Sequence, residues 1–290
     1  MKSDKERFKD ARMVSIFGII GNIFLMIIKG IIGFATNSQS MIADFVNSVS
    51  DIFSSLLTFI GNKIASKPQD DEHNLGHGKA EYIFSFLISI GMIYIAYTTI
   101  KNSLLSIINK QASTYSIWLI VVTIVTIIVK FLLFVFTDKI SKKYNNILVE
   151  ANAKDHRNDC LVALVNMVSI LFSKNGFYFA DGIGGITISI YILYCGIDLF
   201  RRCFDILMDT GIDEDKKDEV IKIIKSHDEI KKYQHFNSTP VGYKYQISIS
   251  IFVDGNMSTF ESHKIADDLE KEIVSKVPEI YLAIIHVNPI

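Results

Sequence analysis

From Val14 to Phe200, apolar runs of membrane-spanning length alternate with short polar intervals, and beyond residue 210 the pattern gives way to a densely charged segment. A spanning helix needs about 20 predominantly apolar residues. The runs predict spans at about 14–34, 38–62, 82–100, 116–136, 145–172 and 179–200. Two of them are unlike the rest. The 38–62 segment carries Asn47, Ser48, Ser50, Asp51, Ser54 and Ser55, and the 145–172 segment carries Asn152, Asp155 and Asp159. A four-residue spacing is just over one helical turn, so Asp155, Asp159 and Asn152 share one side of a helix, as do Asn47 and Asp51. Both segments are too polar to face lipid all round. Ionisable groups at membrane depth usually face a bundle interior or an aqueous cavity and mark an ion or proton path.

After residue 210 the periodicities are those of a small α/β domain. Residues 214–226 place Val220, Ile223 and Ile224 on one helical stripe. Residues 244–253 alternate, with Ile247, Ile249, Ile251 and Val253 on one face and Gln246, Ser248 and Ser250 on the other, as in a half-buried strand. Ser258 with Glu261 reads as a capping box before a helix carrying Ile265, Leu269 and Ile273. With strands at 231–238 and 281–287, the order is α-β-β-α-β, two helices on one face of a three-stranded sheet. The predicted fold is a six-helix transmembrane domain over 1–209 followed by a ferredoxin-like domain over 210–290. So small a sheet, its other face partly apolar, invites a partner.

Composition agrees with this division. The chain has 290 residues, 49% hydrophobic and only 21% charged, too apolar for an ordinary soluble protein of this size. A net charge of −1 without a basic stripe or zinc-finger spacing excludes a dedicated nucleic-acid binder. Cys160, Cys195 and Cys203 lie in or beside spans without a CxxC pair and read as small apolar fillers. The charged start leads directly into a full-length apolar segment, which reads as retained rather than cleaved. An even number of spans puts both termini on one side. That side holds Lys2, Lys5, Arg7, Lys9, Arg12, Lys63, Lys67, Lys79, Lys139, Lys142, Lys143, Arg201 and Arg202, against Lys29, Lys101, Lys110 and Lys174 opposite. The positive-inside rule therefore makes both termini cytoplasmic. Lys29 reads as snorkelling or marking a boundary, and Asp181 as interfacial or lining a vestibule. Lys130 either faces an internal carboxylate or reaches toward headgroups.

The chemistry follows from the ligand types. Asn47, Asp51, Asp155 and Asp159 supply oxygen from two helices, enough to surround one divalent cation where the helices cross. An interhelical hydrogen-bond network is the plainer alternative, but three carboxylates in one small cavity repel one another unless a cation or protons relieve them. Oxygen-only sites suit hard divalent ions, with manganese or ferrous iron ahead of zinc, and His156 points roughly 100° away around its helix. Protons compete for the same oxygens, so a proton gradient can drive metal the other way if the site opens alternately to each side. In the 63–81 loop, Asp70, His73 and His77 can hold a second cation or be solvated loop residues. His235, His263 and His286 read as ordinary surface or interface histidines.

Five stretches together resemble the cation diffusion facilitator family over nearly the whole chain: ADFVNSVSDIFSS, PQDDEHNLGHGKAE, AKDHRND, LMDTGID and SHKIADDLE. The resemblance implies a homodimeric, proton-coupled, alternating-access exporter in a bacterial cytoplasmic membrane, with no prosthetic group and no enzymatic activity. It places the transport site on Asn47, Asp51, Asp155 and Asp159. Asp155 stands where zinc-carrying members have histidine, and the set resembles the manganese-exporting branch; zinc, iron, cobalt and cadmium are the alternative cargoes. It further implies a loop site at Asp70, His73 and His77, a salt bridge between Lys79 and Asp209 at the dimer interface, and a cytoplasmic site loosely matched by His235, His263 and His286. Ser250 and Asn288 stand where a ligand histidine and an acid are expected. Of another class altogether, an intramembrane aspartyl hydrolase also needs two membrane carboxylates.

Overall fold

The computed structural model describes residues 2–35, 39–109, 117–173 and 179–290. Lys110, Lys174 and the side chains of Asn47 and Asp181 lie outside the described residues. The elements run α1 (Lys2–Ala35), α2 (Gln39–Ala65), α3 (Ala80–Ile108), α4 (Ile117–Tyr144), α5 (Ile147–Ser173), α6 (Phe179–Leu207), α7 (Glu214–Lys225), β1 (Lys232–Val241), β2 (Lys244–Val253), α8 (Thr259–Lys276) and β3 (Ile280–Pro289). They form two compact units, Met1–Ser66 with Ala80–Phe204, and Lys67–Lys79 with Asp205–Ile290.

In the first unit α1, α3, α4 and α6 are each long and apolar enough to cross a membrane, searched over the described residues. The two long helices outside that set, α2 and α5, are those whose polar residues were singled out above. Ser48, Asp51 and Ser55 of α2 and Asn152 and Asp155 of α5 are buried. Ile88, Met92 and Ala96 of α3 pack with Leu148 and Ala151 of α5 and Ile192, Cys195 and Leu199 of α6. Ala11 and Val14 of α1 pack with Ile140 of α4 and Val149 of α5. Large apolar side chains such as Ile20, Ile31, Tyr94 and Leu132 point outward. A bundle with apolar side chains outside and serines, asparagines and carboxylates inside inverts the soluble pattern. All three cysteines are buried and unbridged.

Polar clasps set the helix positions. Asn22 of α1 donates to the Asp51 carbonyl and to Ser55 Oγ of α2, both at 3.0 Å. Asn152 of α5 donates to Thr58 Oγ1 of α2 at 3.0 Å. Arg7 and Glu81 form a buried bidentate pair joining the starts of α1 and α3, and Asn146 donates to the same carboxylate at 3.3 Å.

In the second unit the sheet order is β1-β2-β3, with β1 antiparallel and β3 parallel to β2. Ile247, Ile249, Ile251 and Val253 of β2 form one face, buried under Val220, Ile223 and Ile224 of α7 and Leu269 and Ile273 of α8. The capping box forms, with Ser258 and Glu261 each accepting from the other's backbone N–H. The Lys67–Lys79 loop is held against this domain at two glycines: Gly242 turns the β1–β2 hairpin at φ +62°, and a Cβ on Gly78 would lie 2.6 Å from Gly242 Cα. Only a residue without a side chain permits that approach.

Candidate metal centre

Asp51, Asp155 and Asp159 converge. Each offers a carboxylate oxygen, and the three oxygens lie within 4.8 Å of one another. Asp51 and Asp155 are buried, and Asp159 is partly exposed to a cavity of about 620 Å³. The clasps above produce this convergence, since Asn22 grips α2 at Asp51 itself and Asn152 fixes α5 against α2 one turn before Asp155.

The cluster contains a group that the sequence left undecided. Lys130 of α4 is 1% exposed, and its Nζ lies 2.8 Å from Asp51 Oδ2 and 2.5 Å from Asp159 Oδ2. Of the two readings, the internal carboxylate holds. The repulsion among three carboxylates is thus relieved in part by a resident ammonium. Three carboxylates against the one ammonium paired with them leave the cluster net negative when all are ionised. Lys29 is also corrected: it is buried, not snorkelling, and lines the same cavity.

Other members of the sequence set fall differently. Asn152 is spent on Thr58 and is not among the cavity-lining residues. His156 is fully buried beside Gly18 and Ser55, apart from the cavity lining. Asn158 and Thr126, not singled out from the sequence, line the cavity. The Asn158 amide and the Thr126 hydroxyl are buried without a hydrogen-bond partner among the described residues. Their signal was available in part, since Asn158 lies next to Asp159 in the same motif.

Asp70, His73 and His77 form a second group, in the Lys67–Lys79 loop, again with ligand atoms within 4.8 Å. Asp70 Oδ1 accepts from the His73 N–H at 2.7 Å, which holds its carboxyl below the usual carboxylate range. His73 Nδ1 lies 3.1 Å from Asp70 Oδ1 and His77 Nε2 lies 3.4 Å from Asp70 Oδ2. His77 Nδ1 sits 3.2 Å from the Pro68 carbonyl. A neutral His77 ring protonated at Nδ1 toward the Pro68 carbonyl would turn the Nε2 lone pair toward Asp70, an arrangement that a cation between them would stabilise. Lys79 Nζ and Asp209 Oδ1 pair at 2.6 Å within the chain.

Among the described residues these are the two groups of three or more candidate ligands within such reach, and the tail histidines do not form one. His235 sits exposed at a β1 irregularity with φ +53°, His263 is exposed near Asp267 at 3.7 Å, and His286 is exposed on β3 opposite Ser250.

A bundle with an apolar exterior and an interior oxygen cluster of net negative charge defines a membrane protein that handles cations. Comparison with known proteins specifies it further. Residues 15–208 match the cation efflux transmembrane domain and residues 212–290 match the cytoplasmic domain of cation efflux proteins. The chain therefore belongs to the cation diffusion facilitator family of metal efflux transporters, which are not enzymes, and the hydrolase alternative falls away. It is 32% identical over 94% of its length to an uncharacterized transporter of Methanocaldococcus jannaschii, covering 96% of that protein. It is 25% identical to the manganese efflux system protein MneP of Bacillus subtilis, over 100% of this chain and 99% of that one. Among solved structures, the metal-bound C-terminal domain of the CzcD transporter from Thermotoga maritima matches 26% of this chain and 87% of its own at 28% identity, with a TM-score of 0.26.

Proposed function

We propose that the protein exports Mn²⁺ from the cytoplasm in exchange for protons, binding the ion between Asp51, Asp155 and Asp159 and exposing it to the two membrane faces in turn. The observation that carries this reading is the convergence of three carboxylates, with no histidine or cysteine ligand among them, on one cavity. Oxygen donors favour hard ions, and sequence similarity to a manganese efflux protein points the same way. Asn158 offers a further neutral oxygen, and Asn47, on α2 one turn before Asp51, is assigned to the same shell. Because protons and Mn²⁺ compete for the carboxylate oxygens, an inward proton gradient discharges the metal outward. All six long helices cross the membrane, with both termini cytoplasmic. The Lys67–Lys79 loop holds a second cation at Asp70, His73 and His77. The tail histidines His235, His263 and His286 serve at most a metal-sensing role. The tail pairs with a second copy, and the exposed Phe260 and Ile284 are available for such a contact.

The test is metal competition in proteoliposomes. Mn²⁺ flux accompanied by counterflow of protons is expected, with Zn²⁺, Fe²⁺, Co²⁺ and Cd²⁺ less effective, and Asp51→Ala should abolish flux while the protein remains folded. Zinc or iron moving in preference to manganese would transfer the cargo assignment to that ion. Undiminished flux in Asp51→Ala would remove the assigned site.

A further inference from the structure

The transport-site reading assigns to Mn²⁺ two carboxylates, Asp51 and Asp159, that Lys130 already holds. An ammonium has three donors and no acceptor. Two of its donors are directed at Asp51 Oδ2 and Asp159 Oδ2. A divalent ion on those oxygens would stand within about 4 Å of a fixed positive charge, and a low-dielectric interior magnifies that repulsion. Metal and ammonium therefore exclude one another from the site.

The cavity supplies somewhere for the ammonium to go. Thr126, one turn before Lys130 on α4, and Asn158, between Asp155 and Asp159 on α5, line the same cavity as Lys130. Each is only 4% exposed, and the Thr126 hydroxyl and Asn158 carbonyl oxygens lack hydrogen-bond partners among the described residues. Buried oxygens without partners are costly and call for an occupant. The lysine side chain is a flexible four-carbon arm with rotatable donors, and these neutral acceptors line the cavity it enters.

We propose that Lys130 is a tethered competitor of the transported ion: it occupies the Asp51–Asp159 site in the metal-free protein and withdraws toward Thr126 and Asn158 when a divalent cation loads. The arrangement holds the empty site together, lowers metal affinity so that the ion can leave, and favours doubly charged cargo over ions too weakly charged to displace an ammonium.

The inference rests on the transport-site reading, and Mn²⁺ binding to the full-length protein in detergent tests both separately. The background carries Asp70→Ala, His73→Ala and His77→Ala to silence the loop. Asp155→Asn in that background should abolish the binding; binding equal to the parent would overturn the carboxylate site itself. Given that site, Lys130→Gln should raise Mn²⁺ affinity on the order of tenfold or more, and the charge-preserving Lys130→Arg should not. Should Lys130→Gln fold only when purified with Mn²⁺, while the parent folds without it, the competitor role is equally supported. Affinity unchanged or lowered in a folded Lys130→Gln, or raised alike by Gln and Arg, would overturn it.

Discussion

Under the proposed transport site, the choice of ion turns on Asp155. It is buried in the carboxylate group, on the helix face set by the Asn152–Thr58 clasp. A histidine in its place would exchange one hard oxygen for an imidazole nitrogen, which suits zinc. Asp155→His is therefore expected to raise transport of Zn²⁺ relative to Mn²⁺ by at least roughly tenfold, the lower end of what changes around a metal site produce. Competitive uptake of the two ions into vesicles measures it, and an unchanged ratio would show that Asp155 does not select. The three aspartates were legible in the sequence because a helical turn relates Asp155 to Asp159 and because charge is scarce in an apolar segment. Lys130 and Lys29 were not, because a lysine in an apolar run reads alike whether it bends to headgroups or inward, and only the neighbouring helix decides. The partner of Lys130 closest in sequence, Asp159, is 29 residues away.

The helices hold their positions through a few buried polar contacts, and the Arg7–Glu81 pair is the one with most at stake. Both side chains are nearly inaccessible, at 3% and 2% exposure. Removing one partner leaves a buried charge uncompensated, so Glu81→Ala should destabilise the bundle by about 3–5 kcal/mol. Thermal unfolding in detergent reads the effect; a wild-type transition would mean that Arg7 finds water instead. Sequence periodicity located every long helix but shortened several. The first apolar run begins near Val14, whereas α1 begins at Lys2, because hydropathy reports lipid contact and the helix continues as an amphipathic extension that buries Ala11 against α4 and α5. In the tail, where strand alternation and the Ser258–Glu261 box are local signals, β2 runs from Lys244 to Val253 as its alternation indicated.

Among the described residues, each of the two compact units carries one group of metal-capable side chains, carboxylates alone in the helical bundle and mixed carboxylate and imidazole in the other. The Lys79–Asp209 link of the Lys67–Lys79 loop to the tail was expected from the family resemblance, but the Gly78–Gly242 approach was hidden from the sequence, because it joins positions more than a hundred residues apart. The oxygen-only group is matched to hard ions and the imidazole group to softer ones, so the two should not load alike with manganese. Anomalous diffraction from Mn²⁺-loaded crystals tests this most directly. The account predicts a peak coordinated by Asp51, Asp155 and Asp159, with the Lys130 ammonium withdrawn from them. A manganese peak confined to Asp70, His73 and His77, with Lys130 still seated between Asp51 and Asp159, would contradict it.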